Sequence, residues 1–527
     1  MRKQQWILVI ALNLCIALAF FIKNQGEGYD VLSSDQDNIV PMCMKMDNPS
    51  LYAQDLFAGD VENFKYYTPF FVQPLRFLAK FTDYNYVAAL NIKLFITHLL
   101  FGIGWFYLFY LVSGKRFLLA VLMSIVIRGI VWLPGAEIWG ISDIWTLLPR
   151  TVYAALLPIP FILLFQFTRL RLFAAGLAIG FLFNFHPISG LGGILMFVSL
   201  LLGLALFAKR SYNFKDYMIA LGLMLLAAMP FLITYFSKTP SEVTYDIANY
   251  QLAFSSRIPS LFSDPMLFLK QWVYPKTLFF AIPLIGYLIY GFFFNKSLKP
   301  TVKLLLLVSV SIFVLPLLSI PVEQWFNETF DKNLRMSFQI VRVQKLVVLP
   351  AYIAMALILK ELWSKVTLFR KALPYGLGVY LIAIIFANAT MFNQVPFISE
   401  DITRSIFPPI AELFSSKESK ASDFDKIAHY ILENTPTDAL FYKNFKLRSA
   451  AQRSVRFDRK GASILIESSP TQLISWYQDT QPLKKRPPSE VIESIKKMGV
   501  THWLVYKTTL PTAELMKTEG DFKLYKL

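Results

Sequence analysis

Charge is scarce in this chain. Only 17% of its 527 residues are Asp, Glu, Lys or Arg, against about 25% in a typical soluble domain. Hydrophobic residues make up 55% and aromatic residues 16%. That balance excludes an ordinary cytosolic enzyme and a disordered chain. Cysteine is nearly absent. Cys15 and Cys43 are the two present, and Cys15 lies in an apolar run. They cannot build a disulfide framework, and they say nothing about the redox compartment. There is no Walker loop, no Gly-rich dinucleotide fingerprint and no internal repeat, so ATP hydrolysis within the chain is not expected.

Long apolar runs are abundant instead. A helix needs about 20 mostly apolar residues to cross a bilayer. Eleven segments qualify as candidates: 6–22, 88–111, 117–133, 151–167, 172–186, 189–207, 217–236, 276–294, 302–320, 344–362 and 372–391. The first follows Arg2 and Lys3 and runs on through Phe20, Phe21 and Ile22 without a small-residue cleavage site. It therefore reads as an uncleaved signal anchor. The net charge of +17 is better read as loop anchoring at a membrane than as nucleic-acid binding, and no nucleic-acid partner is expected.

Basic residues orient the spans. With the N-terminus inside, the short inner segments hold sixteen Lys and Arg residues, from Arg2 to Lys371, beside only Asp216 and Glu361. The positive-inside rule then places the N-terminus in the cytoplasm and the C-terminal tail outside. The expected outer loops are 23–87, 133–150, 237–275 and 321–343, and they are far longer than the inner stubs. Long loops tend to carry function, so the working face is expected outside. The expected domains are a transmembrane part, 1–391, and an extracytoplasmic part, 392–527. The latter reads as a small α/β domain, with helices at 423–434, 472–477 and 489–498 and strands at 439–442 and 502–506.

Chemistry-bearing side chains concentrate in the outer loops. Asp35 and Asp37 lie just after the first span. Two carboxylates this close can supply a general base or hold a divalent metal, or simply cap a helix in a hydrated loop. Tyr66 to Phe81 reads as an interfacial amphipathic helix. The second outer loop holds Glu137, Asp143 and Arg150 among Trp132, Trp139 and Trp145. His186, in Asn184-Phe185-His186-Pro187, either binds a phosphate or sugar hydroxyl or caps a helix end. Arg335, Gln339 and Arg342 fall on one face at helical spacing, ahead of Lys345. Arg forks match phosphate oxygens, and lipid head-group anchoring is the plainer alternative.

A short first span, a long acidic outer loop with an interfacial helix, many spans and an outer soluble tail resemble the GT-C superfamily of polytopic glycosyltransferases. These enzymes take a sugar or glycan from a polyprenyl phosphate carrier at the outer membrane face. The resemblance implies a GT-C-like α-helical polytopic fold in the bacterial inner membrane. It matches Asp35 or Asp37 to the catalytic aspartate, Glu137 or Asp143 to a second acidic position, and Arg335 or Arg342 to a carrier-phosphate contact. The chain also resembles a group of bacterial membrane proteins without an assigned activity. The residues that carry this likeness are Asp47-Asn48-Pro49-Ser50-Leu51-Tyr52, Asn184-Phe185-His186-Pro187, and the tail from Thr435-Pro436 to Phe457-Asp458. Two departures limit it. The glutamate-rich pattern of the protein mannosyltransferases does not follow Asp37, and the Trp-Trp-Asp of oligosaccharyltransferases is missing.

These readings converge on an inverting glycosyltransferase. Its partners would be a polyprenyl-phosphate-linked sugar, membrane lipid and a glycan, lipid or protein acceptor. Asp35 or Asp37 would be the base, and Arg335 and Arg342, with His186 and Arg150, would face the carrier phosphate. A divalent metal remains open. The alternatives are a transporter or flippase of a lipid-linked glycan and a non-catalytic envelope assembly protein.

Overall fold

The computed structural model describes the chain apart from residues 27, 65–68, 132–143, 145, 209–211, 238–243, 274–276, 331–332, 387–399, 415–420, 485 and 511. Contacts divide it into two units. The first comprises Met1–Lys23, Ile92–Leu232 and Leu261–Ser415. The second comprises Asn24–Asn91, Ile233–Ser260 and Ser416–Leu527. The tail thus shares a unit with the first outer loop.

The first unit is helical. Among the described residues, seven helices are long and apolar enough to cross a membrane: Lys3–Lys23, Tyr86–Val112, Pro187–Phe207, Phe214–Phe236, Lys296–Phe330, Ser337–Lys365 and Thr367–Phe386. Side chains such as Leu225, Leu226, Tyr375, Val379 and Ile382 remain exposed on them, as lipid-facing stripes require. The chain is a multi-pass membrane protein. The other expected segments are helical but short: Phe117–Gly129, Pro149–Leu164 and Phe280–Phe294, and Arg169–Phe183 with 15 residues. Fifteen residues rise about 22 Å, less than the roughly 30 Å hydrocarbon core. Among the described residues, length and composition thus support seven crossings outright, and the expected count of eleven is not confirmed.

Small residues let two of these helices approach closely. A Cβ on Gly176 would lie 2.4 Å from the Ala220 carbonyl oxygen, and one on Gly180 would lie 2.0 Å from that of Met224. The next turn is pinned by Asn184. Pro230 interrupts the Phe214–Phe236 helix, and a proline bends the ladder around it. Asn184 inserts there. Its Nδ2 donates to the Ala227 carbonyl at 2.8 Å, and its Oδ1 accepts from the Phe231 N–H at 2.8 Å. Both backbone groups stay satisfied inside an apolar bundle.

The second unit is α/β. Its five strands are β1 (Leu440–Phe441), β2 (Ser454–Val455), β3 (His502–Tyr506), β4 (Glu514–Glu519) and β5 (Phe522–Lys526), in sheet order β2-β1-β3-β5-β4. The β1–β2 and β1–β3 pairs are parallel, whereas β3–β5 and β4–β5 are antiparallel. Helix Asp423–Asn434 presents Phe424, Ile427 and Ile431 to a core with Phe441, Val455, Leu504 and Leu524. Ser422 caps it, accepting from the Asp425 N–H. The first-loop segments of this unit include helices Gln36–Asp47 and Pro69–Ala79. Phe71, Val72 and Leu75 are buried, and Phe77 is exposed. Arg76 bonds Asp47 at 2.6 Å, and the Tyr86 hydroxyl donates to the same carboxylate.

Candidate functional site

Chemistry-bearing side chains gather in two clusters, one in each unit. In the α/β unit, Asp35 is the N-cap residue of helix Gln36–Asp47, but its side chain makes no capping bond. Two residues on, Asp37 turns inward and is 3% exposed. Its Oδ2 lies 3.6 Å from the Lys460 ammonium, and its Oδ1 has no hydrogen-bond partner among the described residues. Burial raises the carboxyl above its ordinary range, and the positive charges of Lys460 and Lys446 partly oppose that rise. A buried carboxylate with one oxygen that no donor occupies and a raised affinity for protons suits general-base work.

Lys460 stands on a buried ionic network. Arg448 donates from Nε and Nη2 to both oxygens of Asp55, at 2.7 and 3.0 Å, and from Nη1 to Asp458. Asp55 also accepts from the backbone of Phe57, Ala58 and Val455. The Tyr52 hydroxyl donates to the Arg448 carbonyl at 2.7 Å. Residues of the first loop and of the tail are thereby joined.

In the helical unit, His186 begins helix Pro187–Phe207 as its N-cap, and its Nδ1 accepts from the Ser189 N–H at 3.1 Å. The capping role that the sequence left open is realised. Burial holds the imidazole well below its usual range, and the charges of Lys345, Arg150 and Arg342 push it the same way. His186 is therefore neutral at pH 7, in a field set by three cations from separate segments. Arg150 opens the helix starting at Pro149. Arg342 and Lys345 lie on the tight helix Val341–Val347. Arg342 donates to Gln339 at 2.9 Å, and Lys345 is 2% exposed.

Arg335 is not among the charges acting on His186. It precedes helix Ser337–Ile340, in a stretch without regular structure, so the helical spacing from 335 to 342 is not realised. Glu137 and Asp143 lie outside the described residues. Among the described residues, no three His, Cys, Asp or Glu side chains converge as a metal site.

The helical unit also forms a half-open cavity of about 390 Å³ with an apolar wall that includes Trp105, Met196, Leu200, Leu349, Ile353 and Leu357. Leu349 follows Lys345 by four residues, about 6–8 Å along a helix. Met196 and Leu200 belong to the helix that His186 caps.

Sequence reasoning missed Lys460, which no motif marks. It gave no role to Arg448 and Asp458, although both lie in the tail stretch that carried a resemblance. Lys345 stood at the end of the predicted cationic row and emerges as its most buried member.

No family model matches the chain, and no curated protein matches it. Solved structures do. The crystal structure of the Archaeoglobus fulgidus oligosaccharyltransferase tethered with an acceptor peptide is similar at TM-score 0.48 and 12% identity, over 96% of this chain and 69% of that one. The cryo-EM structure of the arabinofuranosyltransferase AftD from mycobacteria is similar at TM-score 0.54 and 10% identity, over 100% of this chain. This chain spans only 40% of the AftD length. Both neighbours are GT-C superfamily glycosyltransferases, and the likeness to AftD gives this chain a GT-C-like fold.

Proposed function

We propose that the protein is an integral-membrane glycosyltransferase that takes a sugar from a polyprenyl phosphate carrier and passes it to an envelope acceptor on the outer face. The observation that carries the reading is the neighbourhood of His186. The guanidinium groups of Arg150 and Arg342 and the buried amine of Lys345 act on one neutral imidazole at a helix N-terminus, and the apolar cavity of the same unit reaches Leu349, four residues beyond Lys345, while along the His186 helix its wall starts at Met196, about 15 Å on. A phosphate with a long hydrocarbon tail complements such a pair. Guanidinium groups and a helix N-terminus bind phosphate oxygens, and the cavity takes part of the prenyl chain. The GT-C-like fold agrees with this reading.

The sugar–phosphate bond is already activated, so transfer needs no nucleotide. The acceptor oxygen attacks the anomeric carbon from the side opposite the phosphate and gives its proton to a carboxylate base, for which Asp37 is the candidate in the α/β unit. The bond to the phosphate oxygen breaks, and the charge gathering there is met by Arg150 and Arg342. Preorganised charge of this kind is commonly the largest catalytic term. His186 holds the helix end and stays neutral. The configuration at the anomeric carbon inverts.

The test is transfer of radiolabelled sugar from polyprenyl phosphate carriers by the full chain in proteoliposomes. Asp37→Asn is expected to lower transfer by about 10²–10⁴-fold. Arg342→Gln is expected to lower it by about 10²–10³-fold, by analogy with removal of one charge-stabilising donor. Unchanged transfer by folded Asp37→Asn would remove Asp37 as the base. If the wild-type protein transfers nothing from a broad carrier panel but moves labelled carrier between leaflets, the chain is a flippase.

A further inference from the structure

The carboxylate of Asp37 is held asymmetrically, and the holding group comes from 423 positions further along the chain. The Lys460 ammonium faces Oδ2 at 3.6 Å and sits 5.8 Å over the Phe445 ring. Lys460 is itself fixed from behind. Its backbone N–H donates to Asp458 Oδ1 at 2.7 Å, and Asp458 pairs with Arg448, which grips Asp55. Gly461 lets this turn close, since a Cβ there would lie 2.7 Å from Asp458 Oδ2 and 3.1 Å from the Phe57 ring. The chain of contacts thus leaves the first loop at Asp55, crosses the tail through Arg448, Asp458 and Lys460, and returns to the first loop at Asp37.

We propose that Lys460 is a positioning residue that clamps Asp37 through Oδ2, so that Oδ1, buried and bonded to no donor among the described residues, is kept ionised as the proton-accepting atom. This rests on the transferase reading for its purpose, but not for its geometry. A buried carboxylate without a cation would take up a proton and lose its basic form at neutral pH. An exposed one would stay ionised but gain rotamer freedom. One ammonium on one oxygen resolves both difficulties. Lys446 and Asp458 are the other charges acting on Asp37. Of the charged groups on elements packed against its helix, Arg448 is tied to Asp55 and Asp458, and Arg76 to Asp47. Asp60 accepts from the Glu62 backbone N–H, on the short helix Val61–Asn63. Lys460 is the cation that pairs with Asp37 Oδ2 among the described residues.

The experiment reads Asp37 directly. The full-length protein in detergent is treated with a small carbodiimide, which reacts with protonated carboxyls, between pH 4 and 9. Modification of the Asp37 peptide is then quantified by mass spectrometry. In Lys460→Met the pH midpoint of modification is expected to rise by about one unit or more, because an opposite charge in contact shifts a carboxyl by roughly 1–3 units. Lys460→Arg is expected to restore it. Arg456→Met, which breaks the separate Arg456–Asp479 pair, is expected to leave it unchanged. Lys460→Gln keeps a polar, uncharged end and serves if Lys460→Met does not fold. An unmoved midpoint in a folded variant would overturn the proposal. So would no labelling of Asp37 at any pH in the wild type, since an oxygen that is buried at rest must open to a small reagent if it is to open to an acceptor. The acid limb of the transfer rate should move with the midpoint. A moved midpoint with no transfer by any variant would retain the clamp and refute the transferase. Transfer with an unmoved midpoint would do the reverse.

Discussion

Asp37 and His186 are both taken out of water, and burial shifts each toward its neutral form. For Asp37 the folded-state affinity for protons lies above the ordinary carboxyl value of 3.8. The native state then binds more protons than the unfolded chain as pH rises past about 4, so this group's contribution to stability is full below that value and is lost at higher pH. Asp37→Asn removes the loss. Thermal unfolding is expected to show the variant matching wild type near pH 4 and at least as stable at pH 7, even as transfer falls. A variant that is less stable at pH 7 would mean that the Lys460 pairing outweighs burial. His186 runs the other way. Its folded pKa lies below 6.5, so its contribution is present above that pH and is lost as the solution acidifies. Two replacements separate capping from charge. His186→Ala loses the cap and should cost about 0.5–2 kcal/mol. His186→Asn keeps a capping oxygen and should hold wild-type stability at pH 7, with a flatter profile from pH 6.5 to 5, read by the same unfolding curves.

At the scale of elements, the Asp55–Arg448–Asp458 network decides whether the first loop and the tail fold as one body. Arg448 is 1% exposed. Replacing it with Met leaves two buried carboxylates facing each other without a cation, and breaking one partner of such a set typically costs about 3–5 kcal/mol. Denaturant unfolding of Arg448→Met should show that loss. Adding Asp55→Asn and Asp458→Asn to the same chain should recover part of it, because the uncompensated charge goes with them. No recovery would show that Arg448 works by packing on the Phe57 ring, 5.4 Å away. This network was not legible in the sequence. The pairing spans 393 residues, and nothing local encodes a partner at that distance. Helix Asp423–Asn434 was legible because its cap and apolar period are local, and strand β3 because His502–Tyr506 is an apolar run. The hairpin β4–β5 was missed for the same kind of reason: Glu514–Glu519 reads as polar surface, and its pattern follows from pairing with β5 across the bulge at Leu515 and Lys517. At the site, Asp37 and Arg342 were legible by residue type and loop. The separation of Arg335 from Arg342 was not, because helical spacing assumes a helix that begins only at Ser337.

For the molecule as a whole, the side of the membrane on which each part works rests on charge alone. Lys and Arg cost more to translocate in short loops than Asp and Glu do, and the basic residues fall on alternate connections of the apolar segments. That bias puts Lys215, exposed at the start of helix Phe214–Phe236, in the cytoplasm. It puts Lys497, at the end of helix Pro488–Lys497, outside. The expectation is testable with single cysteines in a Cys15→Ser, Cys43→Ser background. Lys497→Cys should react with a membrane-impermeant maleimide in intact spheroplasts, and Lys215→Cys only after permeabilisation. Reaction of both before permeabilisation would mean an even number of crossings between them, which changes how many of the short helices span. The reverse pattern would put Asp37 in the cytoplasm along with the tail whose Lys460 it meets. Donor sugar would then have to be presented from the inner leaflet, and nucleotide-linked sugars would become the natural donors in place of a polyprenyl phosphate.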